Sequence, residues 1–190
     1  MDISKIPTGS NVPSDVNMVI EMQKNSKPVK YEFDYASGTM EVNRLLNTSH
    51  RYPGDYGFIP HTLSEDGDAV DVLLMMDDFT LMPNSFVSVR PIGVLFMEDE
   101  SGNDEKVIAV PSSAVSPYYD GSQNYTDLNS QTLQRIEDFF GHYKDLDPDK
   151  HTIIHGWGDV TEAHRVIQEG IQRHAAKYPA QKSSPPPPAP

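Results

Sequence analysis

The hydrophobic period of this chain changes once, and that change limits the architectures open to it. Up to about residue 110 the apolar residues come in short runs. Met18-Val19-Ile20-Glu21-Met22 and the stretches 39–46, 70–76, 86–96 and 106–110 read as strands, and Lys30-Tyr31-Glu32-Phe33-Asp34-Tyr35 alternates charged and aromatic residues with period two. Ala36-Ser37-Gly38 is a turn signal that folds two of these strands into a hairpin, with Lys30, Glu32 and Asp34 on one face. Asp99-Glu100-Ser101-Gly102-Asn103 joins the last two strands in the same way. Beyond this point the period lengthens. Leu133, Ile136, Phe140 and Tyr143 predict one amphipathic helix, and Ala163, Val166, Ile167, Gly170 and Ile171 predict a second. Asp159 and Glu162 open the second helix as an acidic variant of the capping box. Strands first and helices last do not build βαβ units. The order predicts an α+β, mainly β, fold: a small closed or partly closed antiparallel barrel with C-terminal helices flanking it.

The chain of 190 residues is long enough for one domain with a real core, expected over residues 1–180. Residues 181–190 include Ser183-Ser184-Pro185-Pro186-Pro187-Pro188-Ala189-Pro190, which cannot build a core and is expected to be a disordered, polyproline-like tail. Its prolines permit a PxxP reading for SH3-type partners, against a plain solvated tail. The net charge of −13 argues against nucleic acid as a partner, because Lys and Arg supply that affinity. With no cysteine there is no disulfide, thiolate nucleophile or zinc–thiolate site. No segment approaches the ~20 apolar residues that span a bilayer, and no apolar run follows a basic start, so the expected location is the cytoplasm, with no membrane partner.

The stretch Ser64-Glu65-Asp66-Gly67-Asp68-Ala69-Val70-Asp71-Val72 crowds Asp66, Asp68 and Asp71 ahead of an apolar run. Three such acids repel one another unless something positive sits between them, and a hard divalent cation is the usual candidate. A solvated surface turn is the plain alternative. An EF-hand loop counted from Asp66 would need an acid at position five, Gly at six and Glu at twelve, but finds Val70, Asp71 and Asp77. An aspartyl-phosphate phosphatase would carry D-x-D-x-[TV] at the end of a hydrophobic strand, whereas here the apolar run follows the motif. Other acids, cations and tyrosines recur at short spacing: Lys30 and Glu32, Tyr52 and Tyr56, Asp99, Asp104 and Lys106, and Tyr143-Lys144. Each alone reads equally as a solvated strand face, a core aromatic or a helix end. His151 and His155 flank a strand-like Thr-Ile-Ile and read as structural.

Taken in order, these clusters resemble family I soluble inorganic pyrophosphatases. Asp66 to Val72 fit the signature D-[SGDN]-D-[PE]-[LIVMF]-D-[LIVMGAC] at every position except Ala69. Ile20-Glu21, Lys30-Tyr31-Glu32, Arg44, Tyr52-Pro53-Gly54-Asp55-Tyr56-Gly57, Arg90-Pro91-Ile92-Gly93-Val94, Asp99, Asp104-Glu105-Lys106 and Phe139-Phe140-Gly141-His142-Tyr143-Lys144 follow the family order. The likeness runs from about Ile6 to about Tyr178. It implies an OB-like five-stranded antiparallel β-barrel with flanking C-terminal helices, and hydrolysis of pyrophosphate to two orthophosphates, a reaction that draws biosynthesis forward.

The resemblance also implies roles. Asp66, Asp71 and Asp104 hold the tightest metal, and Asp71 bridges it to a second. Asp99 joins Asp104 on a metal that arrives with substrate, Glu32 ligates a fourth partly through water, and Glu21 stands behind that metal's ligands or near the metal itself. Asp68 is the general base. Lys30, Arg44, Tyr56, Lys106, Tyr143 and Lys144 hold the phosphoryl groups, and Tyr52 orients the acids. The implied cofactor is Mg²⁺, about three to four ions per site, with Mn²⁺ or Zn²⁺ as substitutes. The implied assembly is a homohexamer, with a dimer as the alternative. A phosphatase forming an aspartyl-phosphate at Asp66 and a non-catalytic phosphate- or metal-binding module are the rival readings.

Overall fold

The computed structural model describes residues 1–179. The Pro-rich segment 181–190, with its polyproline and SH3-partner readings, lies outside them.

Five strands close on themselves. β1 (Val16–Met22) is buried along nearly its whole length and pairs on one side with β4 (Asp55–Phe58). β4 pairs with β5 (Asp71–Leu74), β5 with β8 (Lys106–Pro111), β8 with β6 (Phe86–Asp99), and β6 returns to β1. A closed ring leaves no barrel edge to protect. Val16, Met18, Ile20, Val72, Leu74, Val89, Val94 and Ile108 fill it, each at 0% exposure. The five-stranded barrel is as expected, but not every seam is antiparallel. β5 and β8 run parallel, because the chain leaves β5, crosses along β6 and re-enters on the far side.

Residues 52–58 have the Gly and Pro density of a shaped loop, yet Asp55–Phe58 form a barrel strand. Asp55 is the disguise. It is buried, and its carboxylate accepts from the amides of Lys24 at 2.7 Å and Leu81 at 2.6 Å, so it serves as an internal cap for two loops. Gly57 is the other disguise. A Cβ there would lie 1.8 Å from the Val19 carbonyl, so this seam closes only with glycine.

β2 (Val29–Asp34) and β3 (Thr39–Leu45) form the expected hairpin as a sheet of their own. Phe33 anchors it in a small second core with Ile3, Ile6, Val19 and Phe58. Asp34 accepts from the amides of Ala36 and Ser37 and so closes the turn. β7 (Gly102–Asn103) completes the tight turn after β6.

α1 (Ser130–His142) buries Ile136, Phe139 and Phe140, and α2 (Val160–Lys177) buries Ala163, Val166, Ile167 and Gly170, the faces that the periodicity marks. Asp159 caps α2 by accepting from Thr161 and Glu162. Glu162 turns outward to Arg165 at 2.9 Å instead of completing the box. β9 (Thr152–Gly158) lies between the helices and extends the sheet along β6, so one strand follows the first helix. No helix of the described residues is long and apolar enough to cross a membrane.

Candidate active site

The parallel seam sets the centre of the site. In its register Asp71 is the partner of Lys106, each at the first residue of its strand. The Lys106 ammonium, 2% exposed, donates to Asp71 Oδ2 at 2.5 Å and to Asp104 Oδ1. From the neighbouring β4, the Tyr56 hydroxyl donates to Asp71 Oδ2 at 2.5 Å. Burial pulls the Lys106 ammonium down, but Asp71 and Asp104 outweigh it and hold its pKa well above the ordinary lysine value. Lys106 is therefore a fixed charge.

The other groups come from loops that this barrel end gathers. In the turn 64–68 the Ser64 amide donates to the Asp68 carbonyl at 2.7 Å, and the Asp68 amide to Asp66 Oδ1 at 3.0 Å. Gly67 takes φ +101°, which keeps that turn tight. Asp99 ends β6, and Asp104 precedes β8 across the tight turn. The C-terminal end of α1 presents Tyr143, its C-cap, and Lys144 just beyond it, and Lys144 donates to Asp99 at 2.6 Å. From the hairpin, Lys30 and Arg44 sit opposite each other in register, with Lys30 on Glu32 at 2.5 Å.

These side chains line two adjoining cavities of about 280 and about 210 Å³, which share Lys30, Glu32, Tyr56, Asp68 and Asp71. The first also takes in Arg44, Asp66, Asp99, Asp104, Lys106, Tyr143 and Lys144. Glu21 lines the second, and its carboxylate accepts from the Phe33 amide at 2.8 Å. Of the anticipated set, Tyr52 alone lines neither. Its ring packs 5.0 Å from Tyr56 and 4.6 Å from Phe139, and among the described residues the tyrosine hydroxyl that reaches an acid of the motif is that of Tyr56. Asn43, Glu100, Ser101 and Lys150 line the cavity without having been anticipated. Glu100 had a signal in its place beside Asp99, and Lys150 had none, since only folding brings it to Glu100 at 3.2 Å. A larger cavity of about 660 Å³ beside the start of α1 contains none of the anticipated side chains.

The acids repel one another. Burial first, then Asp104 and Asp71, push Asp66 up to about 6. Burial and Asp71 raise Asp68. Burial raises Asp104 against the pull of Lys106. Burial, helped by Asp71 and Glu32, pushes Glu21 up to about 8. Against its own burial, its backbone amide with Lys150 and Lys144 holds Glu100 at about 2. Such frustration is relieved by positive charge brought in from outside. The donors are carboxylate oxygens, with no imidazole or thiolate in either lining, which suits a hard ion such as Mg²⁺. Among the described residues no three acids already converge on one ion position; the ammonium groups of Lys106 and Lys144 stand between them.

The family model described as inorganic pyrophosphatase matches residues 18–175. The chain belongs to the inorganic pyrophosphatase family. The inorganic pyrophosphatase of Bradyrhizobium diazoefficiens is 52% identical over 177 residues, covering 93% of this chain and 99% of that one. That of Rhodospirillum rubrum is 51% identical, covering 93% and 98%. Among solved structures, the Coxiella burnetii inorganic pyrophosphatase superposes with a TM-score of 0.85 at 39% identity, covering 89% and 99%, and the Thermus thermophilus inorganic pyrophosphatase with 0.84 at 38%, covering 92% and 99%. The one departure from the pyrophosphatase signature, Ala69, is half-buried against the second core beside Phe33 and Phe58 and leaves the flanking carboxylates facing the cavity.

Proposed function

We propose that this chain hydrolyses inorganic pyrophosphate to two orthophosphates by direct attack of water, and so draws forward the reactions that release pyrophosphate. The observation that carries the reading is one cavity in which acids alternate with Lys30, Arg44, Lys106 and Lys144. A highly charged anion is not otherwise expected to enter a protein of net charge −13.

Asp66, Asp71 and Asp104 would hold the first divalent ion, Asp71 would be shared with a second, and Asp99 and Glu32 would contribute to further ones, with Glu21 behind Glu32. When bound, Mg²⁺ supplies charge against the phosphoryl oxygens and makes an adjacent water more acidic; Mn²⁺ or Zn²⁺ would act as substitutes. The protein's own side chains do the rest. Lys30, Arg44 and Lys144 bind phosphoryl oxygens, and Lys106 stabilises charge on the leaving phosphate. Tyr56 and Tyr143, kept protonated by burial, act as hydrogen-bonding hydroxyls and not as bases. Asp68 lines both cavities and accepts the proton of the attacking water; its raised pKa makes it a better acceptor than an ordinary carboxylate. Tyr52 acts through the ring of Tyr56. The functional unit is residues 1–180. The reading includes a cytoplasmic location and a homohexamer, with a dimer as the alternative.

The test is phosphate release from pyrophosphate and from a phosphomonoester, each with Mg²⁺ and with chelator. Release from pyrophosphate alone, and only with Mg²⁺, is expected. Release from the monoester with a beryllofluoride-trapped Asp66 would favour the aspartyl-phosphate route, and Mg²⁺ binding without turnover would favour a binding module.

A further inference from the structure

The hairpin carries Lys30 and Arg44 but belongs to a separate sheet, so something must fix its cations relative to those delivered by α1. The structure provides a clasp between the exit of β3 and the turn after α1. Asn47 Nδ2 donates to Asp147 Oδ1 at 2.7 Å, and Thr48 Oγ1 reaches the Tyr143 carbonyl at 3.5 Å. The Asp147 amide donates to the Lys144 carbonyl at 2.9 Å, so Asp147 is rigidly tied to the segment that presents Tyr143 and Lys144.

The second carboxylate oxygen of Asp147 does something different. It faces Arg44 Nε at 3.8 Å, and the Asp147 side chain is only 7% exposed. Both atoms are buried, and neither has a hydrogen-bond partner. A buried charge and a buried donor left open towards each other are costly unless they are used. Asp147 lies along the Nε edge of the guanidinium. No hydrogen bond among the described residues occupies the two terminal nitrogens of Arg44, and the residue lines the cavity. A guanidinium with a carboxylate at ion-pair distance from one edge is drawn to that side and keeps its terminal donors open, the geometry that grips phosphoryl oxygens.

We propose that Asp147 is a positioning residue that aims Arg44 at the substrate and couples the hairpin cation to Tyr143 and Lys144. The proposal rests on the pyrophosphatase reading. Its consequence is that substrate affinity depends on a carboxylate that touches neither substrate nor metal.

The test is a double-mutant cycle over wild type, Asp147→Asn, Arg44→Ala and the double variant, read by steady-state kinetics with Mg²⁺ and by calorimetric titration with orthophosphate. Asparagine keeps an acceptor for Asn47 and removes the charge facing Arg44. Asp147→Asn is expected to raise KM for pyrophosphate and weaken orthophosphate binding by about tenfold, with kcat within about twofold. In the Arg44→Ala background the same change is expected to move neither quantity by more than about twofold. An equal loss in both backgrounds, or a fall in kcat with phosphate affinity unchanged, would overturn the proposal. If Asp147→Asn does not fold, Asp147→Glu enters the same cycle with the same criterion, since its displaced charge matters only while Arg44 is present. An inactive wild type would overturn the hydrolysis reading, and the calorimetric arm would still decide the role of Asp147.

Discussion

Replacing Glu21 by Gln should make the metal-free protein more stable at high pH, although Glu21 belongs to the site. Glu21 is 7% exposed at the end of β1, and its carboxylate accepts from the Phe33 amide at 2.8 Å. Burial raises its pKa from 4.5 to about 8; Asp71 and Glu32 add to this, while the Phe33 amide and Lys30 oppose it. Because the folded value lies above the unfolded one, the stabilisation that Glu21 contributes is fully present below pH 4.5 and is lost as pH rises through about 8. A displacement of that size corresponds to ~5 kcal/mol, and relaxation around a buried acid trims it to ~2–4 kcal/mol. Gln is neutral at every pH and keeps an oxygen for the Phe33 amide. Urea unfolding in chelator, at one fixed protein concentration because assembly shifts apparent stability, should give similar midpoints at pH 4.5. By pH 9 the variant should lead by ~1–2 M. Mg²⁺ should narrow the gap, since it favours the ionised acid. Parallel pH curves for the two proteins, or a less stable variant at pH 9, would refute the reasoning.

Other consequences follow from single contacts. Lys106→Met leaves Asp71 and Asp104 without their shared ammonium. It should destabilise the metal-free protein by ~3–5 kcal/mol, and Mg²⁺ should raise its thermal midpoint more than that of wild type. Gly57→Ala sets a methyl against the Val19 carbonyl and should prevent the β1–β4 seam from closing, seen as loss of the cooperative thermal transition. Phe140, 1% exposed, lies 6.2 Å from the Tyr56 ring and 5.9 Å from the Tyr143 ring. Phe140→Ala should cost ~3–5 kcal/mol in urea unfolding and lower kcat/KM as well, because both hydroxyls lose their backing.

The signals that could be read from the sequence were local. Asp66 to Val72 is a seven-residue pattern whose acids stay together in the fold, and the helix faces around Ile136 and Val166 follow from spacing alone. Pairing is not local. The parallel partnership of Asp71 with Lys106 spans thirty-five residues and depends on where β6 crosses, so antiparallel pairing throughout was the natural expectation. Asp55 and Gly57 hid β4 because a buried capping acid and a close backbone approach use the same residue types as a turn. Tyr52 and Tyr56 could not be told apart from four-residue spacing; the β4–β5 register sets Tyr56 opposite Leu73, two residues from Asp71 on the same face, and its hydroxyl reaches Asp71 diagonally. The clasp that sets Asp147 against Arg44 was invisible, since its Asn47–Asp147 bond joins residues a hundred positions apart across two elements.

The central claim is that a water activated at Asp68 attacks pyrophosphate within this cavity. The most direct test is the rate of phosphate release at saturating Mg²⁺ and pyrophosphate for wild type and Asp68→Asn, with Mg²⁺ binding checked in both. A rapid wild type and a variant slower by roughly 10²–10⁴ with Mg²⁺ binding retained is the predicted result. Equal rates, or no release from the wild type, would contradict the account.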